Sequence, residues 1–468
     1  CPCRACLPRR LLLRGQPARI ALAAADRASR APGAAPCGDD AFEMAASSIR
    51  YGRGATAEVG MDAADLGARR VALVTDPNVR QTPAFAAAHS SLRSAGVAVD
   101  VFDAVRVEPT DASMQEAVAF ARRGDYDVYV AVGGGSVIDT AKVANLYATH
   151  KNSDFLDFVN APIGRGLPVP GLLRPLIAVP TTAGTGSETT GVAIFDHGPT
   201  RAKTGIGSRL LRPTLGIVDP LNTRSMPRGV RVASGLDVLC HALESWTARP
   251  YGERLPKPAR PALRPAYQGS NPISDVWSLQ ALRMISRSFE RAVGGDEEAG
   301  EDMALASAYA GIGFGNAGVH LPHGMSYPIS GLCKALPHIH WRPEGYSGDH
   351  DLIPHGVSVA VPAPAVFRLT GPTSPGRHRE AAGILGADVS RCAEGDGDHA
   401  GRLLADEVLG LMGRLGVPAG LAAFGYTRED IPALVAGTLP QERVTKLAPL
   451  EVTGEVLGAL FEDALEYT

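Results

Sequence analysis

Four side chains of types that commonly bind metal ions lie in three separate stretches of the second half of the chain. Asp237 and His241 are four residues apart, and on a helix this spacing places both side chains on one face, where they can share a cation. His323 and His355 each precede a glycine at the start of a segment with a helical pattern. Any of these features alone is more often an ordinary polar contact. Together, three imidazoles and one carboxylate predict a divalent metal site, and these ligand types suit Fe(II), Zn(II) or Mn(II) without choosing among them.

Two glycine-rich turns follow apolar, strand-like stretches in the first half of the chain. Residues 133–136 (Gly-Gly-Gly-Ser) come after the stretch 128–132, and residues 180–188 come after the stretch 176–179. Glycines let the backbone approach a phosphate, and the N-terminus of a following helix offers unpaired N–H groups. The spacing is not G-x-G-x-x-G, and either turn alone could be a tight connection between a strand and a helix. Because both follow strands of one predicted sheet, they predict a dinucleotide site.

Asp76 adds a carboxylate at the end of the first predicted strand. A carboxylate at this position suits a pair of ribose hydroxyls and disfavours a 2′-phosphate, so it favours NAD over NADP. A single aspartate after a strand is also common as a turn residue.

The elements that position these residues fall into two groups. Up to residue 219, short apolar runs at 71–75, 97–102 and 128–132 alternate with helical patterns, which predicts a doubly wound parallel sheet. Beyond Pro220 nearly all the patterns are helical: 233–247, 272–292, 301–314, 396–414 and 454–466. We therefore expect an α/β dinucleotide-binding domain at 46–219 and an all-α metal-binding domain at 220–468. A proline-rich insert at 249–271 is expected to be disordered or functional.

The composition excludes some classes of function. A net charge of −3 argues against nucleic acid as a partner, and no apolar stretch is long enough to span a membrane. Between Cys1 and Gly38 there are seven arginines and a single acid, Asp26. This pattern predicts a disordered mitochondrial transit peptide over residues 1–45 and a location in the mitochondrial matrix; the alternative is a disordered tail.

Five motifs carry a resemblance to a known family. They are Gly133-Gly-Gly-Ser-x-x-Asp139-x-x-Lys142, Pro180-Thr-Thr-x-Gly-Thr-Gly, Asp237-x-x-x-His241-x-x-Glu244, His323-Gly-Met and Pro354-His355-Gly. Together they resemble the iron-containing alcohol dehydrogenase family over essentially everything after about residue 48. Longer stretches narrow the resemblance to members that exchange a hydride between a hydroxy acid and an oxoacid: residues 191–196, 266–275, 311–318 and 438–446.

The resemblance implies roles for particular residues. The implied metal ligands are Asp237, His241, His323 and His355. The implied cofactor-binding residues, for NAD, are Asp76 at the adenosine end with Gly134, Gly135, Ser136, Asp139, Thr181, Thr182, Thr190 and Lys203. The implied metal is Fe(II), with Zn(II) as the alternative. Where many members carry a second histidine, assigned to proton transfer near the nicotinamide, this chain has Tyr327. Tyr327 is therefore our candidate catalytic residue, and a water chain is the other way to replace that histidine.

The resemblance also implies a reaction. The donor would be 4-hydroxybutyrate and the acceptor 2-oxoglutarate, giving succinate semialdehyde and 2-hydroxyglutarate, with a divalent metal that polarises the substrate oxygen. Both substrates carry carboxylates, so a cation should line the pocket. The candidates are Arg249, Arg264, Lys334 and Arg342. The oligomeric state stays open, and a homo-oligomer is one expectation.

Three alternatives remain at this point. The first is an ordinary NAD-dependent dehydrogenase of the same family that exchanges its cofactor with solution. The second is a metal-dependent lyase on a related scaffold, similar to dehydroquinate synthase, although the clustered basic pocket that a phosphorylated substrate requires is not evident in the sequence. The third is a binding protein that has kept the fold and lost activity, which the presence of all four metal-ligand types disfavours.

Overall fold

The computed structural model describes residues 38–200, 202–254, 256–343 and 351–467. Most of the predicted transit peptide, residues 1–37, lies outside the described residues. The described residues contain eight strands: β1 Ser48–Tyr51, β2 Arg70–Val74, β3 Ala98–Phe102, β4 Val128–Gly133, β5 Leu176–Pro180, β6 Val192–His197, β7 Ala202–Gly207 and β8 Leu215–Val218.

Six of the strands form one parallel sheet in the order β1-β8-β5-β4-β2-β3. Every residue of β4 and of β5 is buried, as expected for central strands covered by helices on both faces. In the sheet, β3 lies on one side of β2 and β4 lies on the other, so the strand order reverses direction at β2. The carboxyl ends of β2 and β4 therefore border the crevice where open parallel sheets bind ligands.

The first four α-helices alternate with strands along the chain, and all the later helices follow β8. The described α-helices are α1 Val59–Asp65, α2 Pro83–Ser94, α3 Asp111–Arg123, α4 Gly135–Thr149, α5 Arg228–Thr247, α6 Pro272–Val293, α7 Glu297–Ala317, α8 Leu321–Cys333, α9 His355–Ala360, α10 Ala363–Thr370, α11 Pro375–Leu385, α12 Gly397–Leu415, α13 Ile431–Thr438, α14 Glu442–Thr445 and α15 Gly454–Asp463.

No strand follows Val218 in the part of the chain that the structure describes, and helices dominate from there on. The predicted fold class, an α/β domain followed by a helical one, is confirmed. We keep residue 219 as the proposed boundary between them. Helix α5 is central to the helical part: fifteen of its residues are buried, and it packs against α6, α7 and α9.

The sequence patterns do not predict one element that matters for the site, the antiparallel hairpin of β6 and β7. Its register places Asp196 opposite Lys203. The hairpin stands apart from the main sheet and contacts helices α4 and α8. It therefore connects the sheet domain with the helical half.

The last eight residues of the predicted transit peptide are packed rather than disordered, which corrects the predicted disorder of residues 38–45. Asp39 is fully buried and forms ion pairs with Arg254 and Arg264 of the insert. The backbone N–H groups of Glu43 and Ala45 donate to the side chains of Gln268 and Asn316. The buried carboxylate requires these cations, and they hold the segment on the surface of the helical half.

The insert at 249–271 is irregular, and its described residues are ordered by contacts with other parts of the chain. Arg249 donates to the backbone carbonyls of Ala448 and Leu450. As for the membrane, none of the described helices is both long enough and apolar enough to cross one.

Candidate functional site

Three of the four predicted metal ligands meet in the buried interior of the helical half. Asp237 and His241 lie one turn apart on α5, and His323 lies in the first turn of α8. One potential ligand atom from each of the three lies within 4.8 Å of the other two. Asp237 Oδ1 is 3.5 Å from Nε2 of His241 and 3.5 Å from Nε2 of His323. The i, i+4 spacing therefore places two ligands together, and the packing of α8 adds the third.

His355 stands beside this cluster at the start of α9. Its Nε2 is 3.9 Å from Asp237 Oδ1, and its side chain is 32% exposed, so it borders the open side of the cluster. Gly356 makes this position possible, because a Cβ there would lie 1.9 Å from the carbonyl oxygen of Ala233 on α5. The glycine lets α9 press against α5, and this contact places the fourth predicted ligand.

The cluster fits a divalent cation. Asp237 Oδ1 and His323 Nε2 are buried, face each other, and have no hydrogen-bond partner among the described residues. Leaving such atoms unsatisfied costs about 1–3 kcal/mol each. Ligands about 2.1 Å from a tetrahedral ion stand roughly 3.4 Å apart, close to the separations seen here. An ion bound by these atoms would compensate for their burial.

The electrostatics of the pocket favour the ligand forms of two of its histidines. Burial lowers the pKa of His241 to about 4, and the partial burial of His355 also lowers its pKa, so both imidazoles are neutral at neutral pH, the form that binds metals. Burial also acts to lower the pKa of His323, but the carboxylates of Glu244 and Asp237 outweigh it and raise this pKa to about 10. A cation that binds His323 would therefore displace a proton.

Glu244 belongs to one of the family motifs, but the sequence reasoning gave it no role in the site. Its Oε1 lies 2.6 Å from Nδ1 of His323, and its Oε2 accepts from the backbone N–H groups of His320 and His323. The carboxylate thus fixes the His323 ring with Nε2 towards Asp237 and also caps α8. Its place in the sequence, one turn after His241 on the same buried helix, was the available signal.

The exchange Glu244→Gln is expected to weaken divalent metal binding roughly 10- to 100-fold, the usual effect of removing the partner that orients a metal-binding histidine. The glutamine keeps the size of the side chain but loses the charge that holds the Nδ1 proton of His323. A chelator competition titration measures the change. Glu290→Gln, which removes an exposed carboxylate paired with Arg414, is the matched control. Equal metal affinity in the two variants would contradict the role of Glu244.

The two glycine-rich turns lie against each other at the carboxyl edge of the sheet. Gly133 pairs with Pro180 across β4 and β5. A Cβ on Gly134 would lie 3.3 Å from the Thr182 side chain, and one on Gly135 would lie 2.5 Å from Thr185. Helix α4 begins at Gly135 without a side-chain cap; the N–H groups of Val137 and Ile138 donate to Gly134 O, and those of Gly135 and Ser136 are the ones suited to an anion. The geometry brings the two turns together, as a phosphate cradle would require, and their role in binding phosphate stays a prediction.

The other predicted cofactor-binding residues differ in their contacts. The Thr181 N–H donates to Gly133 O, and the Ser136 hydroxyl accepts from the N–H of Glu108. Thr190 is buried and accepts weakly from the amino group of Lys142, at 3.4 Å. These residues lie in the turns or contact them, and none of these hydrogen bonds would have to break for a dinucleotide to bind.

Three charged residues assigned to the cofactor already have partners within the protein. Asp76 Oδ1 accepts from the N–H groups of Asn78 and Val79, the turn role that the sequence left open. Asp139 accepts from Ser187 Oγ at 2.5 Å and from the N–H of Ile194 at 2.9 Å. Lys203 lies 3.0 Å from Asp196 and 3.8 Å from Glu108. A direct cofactor role for these three remains a prediction.

A continuous set of contacts joins the cofactor turns to the metal cluster. A Cβ on Gly315 of α7 would touch the Thr190 methyl group at 3.4 Å. The neighbouring Phe314 ring stacks on the His241 imidazole with the ring centroids 3.9 Å apart. Tyr327, one turn after His323 on α8, has its ring parallel to that of His355, with the centroids 6.2 Å apart. The candidate metal centre is thus linked through Phe314, Gly315 and Thr190 to the region of the turns, and we expect the two to form one site.

Comparison with known proteins agrees with this arrangement. The profile of the family described as iron-containing alcohol dehydrogenase matches residues 46–220, and the profile of its C-terminal region matches residues 266–340 and 347–465. The mitochondrial hydroxyacid-oxoacid transhydrogenases of Bos taurus and Homo sapiens are each 56% identical to this chain over 443 residues, which is 94% of this chain and 93% of each relative. A solved 1,3-propanediol oxidoreductase superposes with a TM-score of 0.77 at 28% identity, covering 91% of this chain and 100% of that one.

Proposed function

Because the chain belongs to the iron-containing alcohol dehydrogenase family, we propose that it passes a hydride from 4-hydroxybutyrate to 2-oxoglutarate through a bound NAD. The products are succinate semialdehyde and 2-hydroxyglutarate. The family makes the chain an oxidoreductase acting on CH–OH groups. NAD and a divalent metal are the cofactors we propose for it. The substrate pair is the finer part of the proposal, and the shared name of the relatives supports a hydroxy acid and an oxoacid.

The observation that carries the proposal is the convergence of Asp237, His241 and His323 on one point, which Phe314 and Thr190 connect to the glycine turns. This arrangement suits a reaction in which an oxygen is polarised next to a nicotinamide ring. It disfavours a binding protein without activity. Buried polar atoms without a hydrogen-bond partner are rare in folded proteins, and where they occur a bound ion or a catalytic role usually accounts for them.

We assign different parts of the reaction to different residues of the chain. Asp237, His241, His323 and His355 would hold the metal, which when bound supplies a Lewis acid to the reacting oxygen. The N-terminus of α4 and the turn at 180–188 would bind the pyrophosphate. The Phe314 ring keeps water from one side of the cluster. The Tyr327 hydroxyl accepts from Arg443 and can still donate its own proton, as a proton-transfer role requires.

Fe(II) is the metal we propose first, after the family, and Zn(II) is the alternative, since the donors suit both. The relatives are named as mitochondrial proteins, which confirms the predicted mitochondrial location, and we propose the matrix as the compartment.

An acceptor-dependence assay tests the proposal. The purified protein, desalted to remove free nucleotide, is given 4-hydroxybutyrate with and without 2-oxoglutarate. We expect NAD to stay with the protein and succinate semialdehyde to accumulate beyond one equivalent only when the oxoacid is present. Sustained release of NADH without an acceptor would instead favour an ordinary dehydrogenase with an exchanging cofactor.

A further inference from the structure

The four basic residues that the sequence offered as carboxylate binders are all engaged elsewhere. Arg249 donates to backbone carbonyls of Ala448 and Leu450, and Arg264 is paired with the buried Asp39. Lys334 is shared between Glu108 and Asp196, and Arg342 is paired with Asp351. A substrate carboxylate would have to displace an existing partner from any of them.

Arg443, at the start of α14, has a different environment. Its Nη2 donates to the Tyr327 hydroxyl at 2.9 Å, and its guanidinium carbon lies 5.2 Å from the centroid of the Tyr267 ring. Its Nη1 is buried and finds no acceptor among the described residues. A buried donor of a charged group without a partner is costly, and a guanidinium in this state is suited to a carboxylate, which can accept from both of its arms.

Two sets of ring contacts place Arg443 next to the candidate metal centre. Its hydrogen-bond partner Tyr327 stacks on His355. Its other neighbour, Tyr267, meets Phe314 edge-on at 6.3 Å between centroids, and Phe314 stacks on His241. Arg443 is therefore separated from His355 by one aromatic side chain, Tyr327, and from His241 by two, Tyr267 and Phe314.

Arg443 lines a small cavity beside Tyr327 and Lys203, and it is the cation there whose charge is not already paired. Lys203 lies between Asp196 and Glu108, which neutralise it. The same cavity contains Gln441, whose amide donates to the carbonyl of Lys203. An anion in this cavity would meet the Arg443 guanidinium beside Tyr327.

We propose that Arg443, held in place by Tyr327 and Tyr267, binds the distal carboxylate of both the donor and the acceptor; this inference rests on the proposed function. In 4-hydroxybutyrate the reacting carbon is separated from the carboxylate carbon by three carbon–carbon bonds. In 2-oxoglutarate the keto carbon is separated from the distal carboxylate carbon by the same number. One cation at a fixed position can therefore serve both half-reactions, and it explains why a single pocket accepts two different acids.

The test compares Arg443→Gln with the wild type on a charged and an uncharged donor. The two donors are 4-hydroxybutyrate and 1,4-butanediol, which replaces the carboxylate with a hydroxymethyl group. We expect the ratio of kcat/KM for the acid to kcat/KM for the diol to fall roughly 100-fold, as is usual when a buried charge partner is removed. Calorimetric binding of glutarate, a dicarboxylate that cannot react, should weaken in parallel. Arg264→Gln, which removes the same charge from a residue paired with Asp39, is the matched control and should leave the ratio as in the wild type.

The remaining outcomes separate this inference from the proposed function. If Arg443→Gln does not fold, Arg443→Lys decides: it keeps the charge but loses the planar fork, and we expect a smaller fall in the ratio with the same sign. An unchanged ratio in a folded Arg443 variant would overturn the inference, as would loss of bound NAD without any change in the ratio. If the wild type itself shows no preference for the acid over the diol and no dependence on 2-oxoglutarate, the proposed function fails instead.

Discussion

His323→Ala is expected to lower the affinity for a divalent metal roughly 70- to 900-fold and the turnover number by at least as much. The estimate follows from dividing the roughly 10–16 kcal/mol of a four-ligand site among its ligands. His323 is the one predicted ligand that α8 contributes, and its Nε2 faces Asp237 without any other partner among the described residues. Metal titration and steady-state turnover with both substrates measure the two effects.

A second buried histidine provides the control for this variant. His378 is fully buried on α11, where its ring contacts Thr370 and Ser374, and the site does not involve it. His378→Ala therefore removes a buried imidazole of the same size. We expect the folded fraction of this variant to bind metal and turn over substrate at values near those of the wild type. NAD binding should survive in both variants, since the phosphate cradle lies on the sheet domain. Wild-type metal affinity in His323→Ala would refute the proposed metal centre.

Gly135→Val is expected to weaken NAD binding on the order of 100-fold, because overpacking by a branched side chain costs about 1–3 kcal/mol and displaces the cradle itself. A Cβ at this position would lie 2.5 Å from Thr185 Cγ2 and 2.8 Å from its hydroxyl oxygen, so the two turns would have to separate. Equilibrium binding of NAD to nucleotide-free protein measures the loss. Metal binding should change little, since the ligands lie on α5, α8 and α9.

Gly458→Val is the matched control for the cradle. Gly458 also lies in a helix, α15, but a Cβ there meets no atom within 4 Å. The same change in side chain is therefore made without a clash, and we expect NAD binding within about twofold of the wild type. If Gly135→Val binds NAD as tightly as Gly458→Val does, the turn at 133–136 does not hold the pyrophosphate.

Local spacing is what made much of this site predictable. On a helix, the four-residue interval between Asp237 and His241 places both side chains on the same face. Helix α5 forms where the sequence pattern predicts a helix. The apolar runs before the two glycine turns are buried parallel strands, as a sheet covered on both faces requires. In such cases a short stretch of sequence is enough to predict both the secondary-structure element and the face of it on which a side chain lies.

What the sequence could not show depends on partners distant along the chain. The packing of residues 38–45 rests on Asp39 meeting two arginines more than 200 positions away. The β6–β7 hairpin and the pairing of Lys203 with Asp196 depend on tertiary contacts that no short pattern reports. Arg443 was missed for a related reason: its significance lies in the lack of a partner, which is visible only once the partners of the other basic residues are known.

The central claim is that the hydride passes from hydroxy acid to oxoacid through an NAD that remains bound, and isotope transfer tests it most directly. 4-Hydroxybutyrate carrying deuterium at C4 is incubated with the protein, unlabelled 2-oxoglutarate and an excess of unlabelled NADH in solution. The account predicts that deuterium appears at C2 of 2-hydroxyglutarate without dilution, while the free NADH stays unlabelled. Deuterium in the free NADH, with 2-hydroxyglutarate diluted to match that pool, would contradict it.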